Sequence, residues 1–413
     1  MSDKTSPSSH RFPPPRSYRG TVSALAFGQL VCWAALFYTF SSLVLPMQAE
    51  LGWSKPALMG AFTLGLAFWG GASYAAGATI DRGQGRAVMS AGAALAGVGL
   101  LLWSQVSAIE WLYVAWALMG CAMAMTLYEP AFSVLAKRFP ERFRDAITAL
   151  TLVGGFASTL SFPAVAWLLA HFGWRNSLAV IGLVLLIVIA PLHAWALRGR
   201  PSGHAKAHAD VAAKVANDAT LHQALRERAF WLLTLCFTLH AFVTAALWAH
   251  IMPALAAKGR SEAQSLAVVV WFGPAQVAGR FAFMLWLRWG RQIGVRGLGL
   301  VVLALLPMSM ALFALVEDTA GLLLFALLFG IANGLITIVR GSLVPEYFGR
   351  AQVGRIGGAM SGIALLSRAS APLLTAWALL GLHGYFGLLL LLAALGSLAL
   401  LAFAFAGSPR QRH

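Results

Sequence analysis

Apolar residues run along this chain in long blocks. They do not alternate as in a half-buried strand, and they do not form the single stripe of a water-facing helix. Twelve blocks, separated by short polar connections, lie near residues 21–45, 56–77, 88–107, 110–135, 147–170, 177–197, 230–256, 264–287, 297–316, 320–344, 356–380 and 384–406. A helix needs about 20 mostly apolar residues to cross about 30 Å of hydrocarbon, and each block is long enough. Lipid offers the backbone no hydrogen-bond partner, so such blocks must cross as helices. The pattern predicts an all-α membrane protein of twelve transmembrane helices, helix 1 to helix 12 in chain order.

Charge orients these helices. Of the 30 Lys and Arg residues, 23 fall in the tail before Thr21, the even-to-odd connections, the central loop and the C-terminus. Only Lys55, Arg175, Lys258 and Arg260 lie in connections on the other side. Lys and Arg accumulate on the cytoplasmic side of a membrane, which predicts a multi-pass protein of the bacterial inner membrane with both termini in the cytoplasm. The net charge of +16 is thereby a matter of orientation and not of nucleic-acid binding.

Composition agrees: 59% hydrophobic and 11% charged residues, with mean hydropathy +0.75, leave too little polar surface for a soluble domain. No nucleotide-binding loop occurs. Cys32, Cys121 and Cys236 lie inside predicted spans without disulfide or metal spacing. No metal, no cofactor and no catalytic residue is expected, and the chain reads as a non-enzyme.

The chain repeats itself. A shift of 207 positions lays Pro46 on Pro253, Gly52 on Gly259 and Ser54 on Ser261; a shift of about 209 lays Phe139 on Phe348 and Pro163 on Pro372. The expected organisation is a disordered cytoplasmic tail over 1–20 and a six-helix bundle over 21–197. A cytoplasmic linker over 198–229, a second bundle over 230–406 and a tail over 407–413 follow. Asp218 and Thr220 are placed to cap a short surface helix in the linker. No cleavable signal pattern precedes the first span. Parallel repeats joined by a long loop suit a secondary transporter whose cargo binds at midplane between halves that rock against one another.

The segment Gly77-Ala78-Thr79-Ile80-Asp81-Arg82-Gly83-Gln84-Gly85-Arg86, between helices 2 and 3, resembles the cytoplasmic loop motif of the major facilitator superfamily. Three further segments look like the bacterial branch related to monocarboxylate transporters: Leu51-Gly52-Trp53-Ser54, Phe172-Gly173-Trp174-Arg175 and Gly273-Pro274-Ala275-Gln276-Val277-Ala278-Gly279-Arg280. The resemblance implies twelve helices in two pseudo-symmetric bundles. It also implies Arg280 of helix 8 as the anion ligand. Gln276 stands where that family often has an Asp; it can position the guanidinium but cannot carry a proton. The Lys that the family often carries in helix 1 is missing, with Tyr38 or Thr39 nearest its place.

The residues themselves point to the same region. A charge inside a span costs at least about 2.5 kcal/mol and marks a pathway, and Arg280, Arg340 and Arg368 are such charges. A guanidinium keeps its proton and matches a carboxylate in a two-pronged fork. Arg280, Gln276, Arg368, Tyr38, Trp33, Thr244, Trp248 and Asn333 are the candidate cargo ligands. The stripe Cys236, His240, Thr244, Trp248 of helix 7 is expected to face the cavity.

Glu129, the carboxylate well inside a span, and His240 are the candidate proton carriers. In the superfamily an acid at this end of helix 4 pairs with an Arg of the loop after helix 2. Glu129 with Arg86, Asp81 facing the start of helix 11, Arg82 and Arg340 therefore form an alternative conformational lock. Arg280 itself has a second reading, a guanidinium tied to backbone carbonyls that holds the halves together.

The leading expectation is a proton-linked carrier of a small organic anion, first of all a monocarboxylate, working in the lipid bilayer as a monomer without nucleic-acid partners. An efflux antiporter for amphipathic compounds, a carrier of a planar vitamin and a non-transporting membrane sensor are the alternatives.

Overall fold

The computed structural model describes residues 17–199, 218–289, 294–382 and 384–408. Its membrane helices are α1 (Tyr18–Leu51), α2 (Lys55–Thr79), α3 (Gly85–Ser104), α4 (Ile109–Arg138), α5 (143–172), α6 (174–196), α7 (Arg228–Ala257), α8 (262–288), α9 (Val295–Leu315), α10 (Thr319–Phe348), α11 (Val353–Gly381) and α12 (Tyr385–Phe405). Ten continuous helical stretches give twelve crossings, because two of them bend back. The bends are at Gly83 (φ 86°), between α2 and α3, and at Gly173 (φ 69°), between α5 and α6. Glycine reverses the chain there because it has no Cβ to oppose a positive φ.

The repeat seen in the sequence is one turn built twice. Gly52 (φ 68°) ends α1 and Gly259 (φ 74°) ends α7 in the left-handed conformation. Two residues later Ser54 caps α2, accepting from the Ala57 amide at 3.4 Å, and Ser261 caps α8, accepting from the Gln264 amide at 3.3 Å.

The segment boundaries need adjustment. Residues 1–16 of the expected tail lie outside the described residues, and α1 already begins at Tyr18 because Ser17 accepts the Gly20 amide at 3.2 Å. Of the linker, 200–217 lie outside the described residues. Thr220 then caps the short helix Leu221–Arg226 in a capping box with Gln223. Asp218 does not share that task. Its carboxylate accepts the amides of Arg350 and Ala351, both at 2.9 Å, and so ties the linker to the α10–α11 connection. Of the tail after Ala406, residues 409–413 lie outside the described residues.

The halves touch most closely along α2 and α11. A Cβ on Gly77 would overlap the Gly354 backbone, the reverse is also true, and a Cβ on Gly358 would lie 2.5 Å from the Ser73 carbonyl oxygen. Small residues are how membrane helices bring backbones into contact without a hydrophobic driving force. These contacts lie toward the basic end of the bundle, where Arg82 and Arg355 stand.

At the opposite end α5 and α11 are more exposed. Three consecutive residues cover most of a helix's circumference, and Pro372, Leu373 and Leu374 of α11 are all exposed, as are Phe162, Pro163 and Ala164 of α5. Ala371 and Thr375 of α11 and Ser161 and Val165 of α5 stay buried beside them, so each helix keeps one packed face there. The described state is closed at its basic end. Replacing Gly354 by Val should part α2 and α11 and open the basic end. We expect a cysteine placed at Ser73 to react with a bulky maleimide several-fold faster in that background; equal rates would show that the glycine contact is not what seals it.

Candidate functional site

The centre of the molecule is built from interruptions in its helices. In α4, Pro130 has no amide to give the Thr126 carbonyl, and the helix breaks at Leu127 (ψ −159°). Gln29 of α1 repairs the break, its Nε2 donating to the Thr126 carbonyl at 2.6 Å and to that of Leu127 at 3.4 Å. The second half of α4 thus starts with Tyr128 and Glu129 in its first turn, where the helix dipole favours an anion. In α1, residues Ala34–Tyr38 form a π-turn. The Ala34 carbonyl accepts the Thr39 hydroxyl at 2.8 Å and the Ser161 hydroxyl of α5 at 3.3 Å. This turn presents Trp33, whose ring packs on Tyr128 at 5.0 Å and on Trp69 at 5.9 Å. Tyr38, at its end, meets Phe162 of α5 at 6.2 Å.

Arg280 lies between the halves. It is 3% exposed and does not face lipid. Its Nε donates to the Gly334 carbonyl of α10 at 3.0 Å, and its Nη1 lies against Gly155 of α5, buried and without an acceptor. The carbonyl, not Gln276 as the sequence suggests, orients the guanidinium, because Gly334 lets α10 approach the α8 backbone at Gln276 itself. Gln276 and Asn333 are half-buried on α8 and α10.

Arg368 is half-buried at the middle of α11 and makes no hydrogen bond or ion pair among the described residues. Arg340, Glu129 and Tyr38 act on it electrostatically, and it acts on His240. These neighbours come from α10, α4, α1 and α7, so its head is central. The stripe on α7 is less open than its spacing predicts: Cys236, His240 and Thr244 are buried. The Thr244 hydroxyl is committed to the His240 carbonyl at 2.9 Å and is a poor cargo ligand. Trp248 is 47% exposed and packs on Phe272 of α8 and Phe329 of α10.

Below this level a series of ion pairs joins the halves. Glu129 Oε1 lies 3.3 Å from Arg340, which also donates to the Ser361 hydroxyl at 2.8 Å. The expected partner Arg86 is exposed, as is Arg82. The break in α4 instead turns Glu129 toward the opposite bundle. A small cavity of about 60 Å³ adjoins the pair, lined by Ser73, Glu129, Phe237, Arg340, Met360 and Ser361 among others.

Nearer the basic end Asp81 accepts the Gly354 and Arg355 amides at 3.0 and 2.8 Å, an anion on the free N–H groups that start α11. Lys137 of α4, a residue the sequence reading does not single out, pairs with Asp81 at 2.8 Å and donates to the Ala351 carbonyl at 3.1 Å. Arg144 of α5 pairs with Glu346 of α10. Arg350 donates to the Pro140 carbonyl at 3.0 Å.

Tyr128 and Gly155 also went unmarked in the sequence, and the signals for them are the Pro130 that follows Tyr128 by two and the pair Gly154-Gly155. Among the described residues no group of three His, Cys, Asp or Glu side chains is placed to hold a metal.

Removing one partner of a buried ion pair leaves the other charge bare, whereas removing both is often nearly neutral. Glu129→Gln and Arg340→Gln should each lower the melting temperature of the detergent-solubilised protein, and the double variant should melt above either single one. Additive losses would mean that the two side chains contribute independently.

Residues 25–289 match the family model of the Major Facilitator Superfamily. Monocarboxylate transporter 13 of Rattus norvegicus is 26% identical over 346 residues, 80% of this chain and 74% of that protein. Monocarboxylate transporter 11 of Mus musculus is 32% identical over 142 residues, 33% of this chain and 32% of that protein. Among solved structures, the fucose:proton symporter FucP of E. coli matches with a TM-score of 0.73 at 13% identity, and the human organic anion transporter MFSD10 with 0.71 at 16%. Each match covers 95% of this chain and all of the other. Identities this low show the fold alone, and that fold is the one expected, twelve helices in two bundles. The proteins named in these matches are transporters, not enzymes. The chain belongs to the Major Facilitator Superfamily.

Proposed function

We propose that the protein moves a small organic anion bearing a carboxylate, the class that includes the monocarboxylates, across the membrane by alternating access with a proton as coupling ion. One observation carries this reading: Arg280 is buried between the halves, and its Nη1 has no acceptor among the described residues. An unpaired buried donor on a fixed positive charge is stabilised by a negative oxygen. The names of the relatives support the carboxylate class, and that of MFSD10 supports an organic anion.

In this reading Arg280 is the chief ligand of the cargo, and Trp248, Tyr38, Trp33, Arg368, Gln276 and Asn333 are the groups that line its path. The pairs Glu129–Arg340 and Arg144–Glu346, with the bonds from Asp81 to the Gly354 and Arg355 amides and from Lys137 to the Ala351 carbonyl, close the basic end and must part for release. The distribution of Lys and Arg supports a cytoplasmic placement of that closed end, the linker over 198–229 and both termini, and the membrane of this reading is the bacterial inner membrane. Glu129, whose Oε2 is buried without a partner, and His240 are the two groups suited to carry the proton. The six-helix bundles act as two rigid halves, and the protein works as a monomer.

A thermal-shift screen of the purified protein against short carboxylates, organic cations and planar aromatic compounds tests the cargo class. Carboxylates should raise the melting temperature, and Arg280→Ala should abolish both that shift and counterflow in proteoliposomes while the variant stays folded. Stabilisation by cations alone, or counterflow unchanged in Arg280→Ala, would overturn the proposal.

A further inference from the structure

The connection between α10 and α11 is gripped from two sides. On one side hydrogen bonds fasten it to the end of the linker. The Asp218 carboxylate accepts the Arg350 and Ala351 amides, both at 2.9 Å. The Ala219 amide donates to the Phe348 carbonyl at 2.8 Å, and the Leu221 amide donates to the Gln352 side chain at 2.8 Å. On the other side the same two residues reach the first bundle. Arg350 donates to the Pro140 carbonyl at 3.0 Å, and the Ala351 carbonyl accepts from Lys137 at 3.1 Å.

The turn and the carboxylate are matched. Consecutive amides that point the same way form a concavity suited to an anion, and a charged acceptor makes the stronger kind of hydrogen bond. Gly349 opens the turn at φ 82°, a conformation that a Cβ opposes, and a Cβ there would also overlap the Asp218 carboxylate. Ala219 beside it is fully buried, so this end of the linker is packed onto the second bundle. The hydrogen bonds of Asp218 among the described residues all lie within that half.

We propose that Asp218 is a positioning residue of the transport cycle. It holds residues 349–351 in the shape that offers the Arg350 side chain and the Ala351 carbonyl to the first bundle, and so sets how firmly the basic end is shut. The end of the linker is in this way a working part of the seal, although it never crosses to the opposite half. The inference rests on the alternating-access part of the proposed function and on no choice of cargo.

The test is maleimide labelling of the full-length protein in detergent, mapped by peptide. Ser73→Cys is the reporter, in a background that carries Cys121→Ala, and the fully buried Cys32 monitors unfolding. Asp218→Ala should speed labelling of the reporter about fivefold and leave Cys32 unlabelled, and Asp218→Asn, which keeps one acceptor oxygen, should fall between. Arg350→Ala should also speed it. The double variant Asp218→Ala/Arg350→Ala should exceed either single one by less than the product of their effects, because both changes act on the same turn. Thr220→Ala removes the cap of the linker helix and spares the turn, so its rate should stay close to the parent's. An unchanged rate in Asp218→Ala, where Gly354→Val does speed labelling, overturns the role of Asp218 alone. So do equal acceleration at Cys32, an equal effect of Thr220→Ala, or single effects that multiply. No acceleration in any variant, Gly354→Val included, overturns the two-state seal along with it.

Discussion

A positive charge withdrawn from water into a hydrocarbon slab needs a counter-charge, a set of acceptors or a wet surface, and the alternatives differ by several kcal/mol. Three guanidiniums of this protein meet that requirement to different degrees. Arg340 has a carboxylate and a hydroxyl, Arg280 has one backbone carbonyl, and Arg368 has no hydrogen bond or ion pair among the described residues. Satisfaction falls from the closed end toward the centre. Neutralised charges hold the halves together, and the least satisfied guanidiniums stand at the centre.

Backbone irregularity follows the same map. The break in α4 before Tyr128, the π-turn of α1 over Ala34–Tyr38 and the interruption of α5 at Gly155 all border one central volume. In lipid such breaks are tolerated only where protein or cavity water satisfies the freed groups, and π-turns collect at functional sites. Two of the three breaks have a side-chain donor: Gln29 for the carbonyls of α4, and Thr39 with Ser161 for the carbonyl of α1. A regular α4 would hand the Thr126 carbonyl to its own helix, and Glu129 would not be turned toward Arg340.

The closed end combines two kinds of contact that respond differently to change. The approach of Gly77 to Gly354 is short-ranged and steric, so it is lost within a fraction of an ångström. The attraction of Asp81 for the first amides of α11 and of Lys137 for the Ala351 carbonyl is longer-ranged and draws the halves back together. Together they make a seal that opens as a step and not by gradual slackening, which suits two bundles exchanging between two states.

Twelve crossings and the doubled plan are legible in the chain, because block length and a shift of 207 positions depend on residues read in order. The three intramembrane arginines are legible for the same reason, since lipid makes any charge conspicuous. Partnerships are not. Arg86 and Arg340 are both within reach of Glu129 on a linear reading, and only the turn forced by Pro130 selects Arg340. Gln276 is four residues from Arg280 along one helix, yet a carbonyl 54 positions away orients the guanidinium because Gly334 lets α10 come close. Residue type and spacing determine what must be buried and which way it faces. Which groups meet depends on a few glycines and one proline that set distances between helices far apart in sequence, and those distances exist only once the bundle has packed.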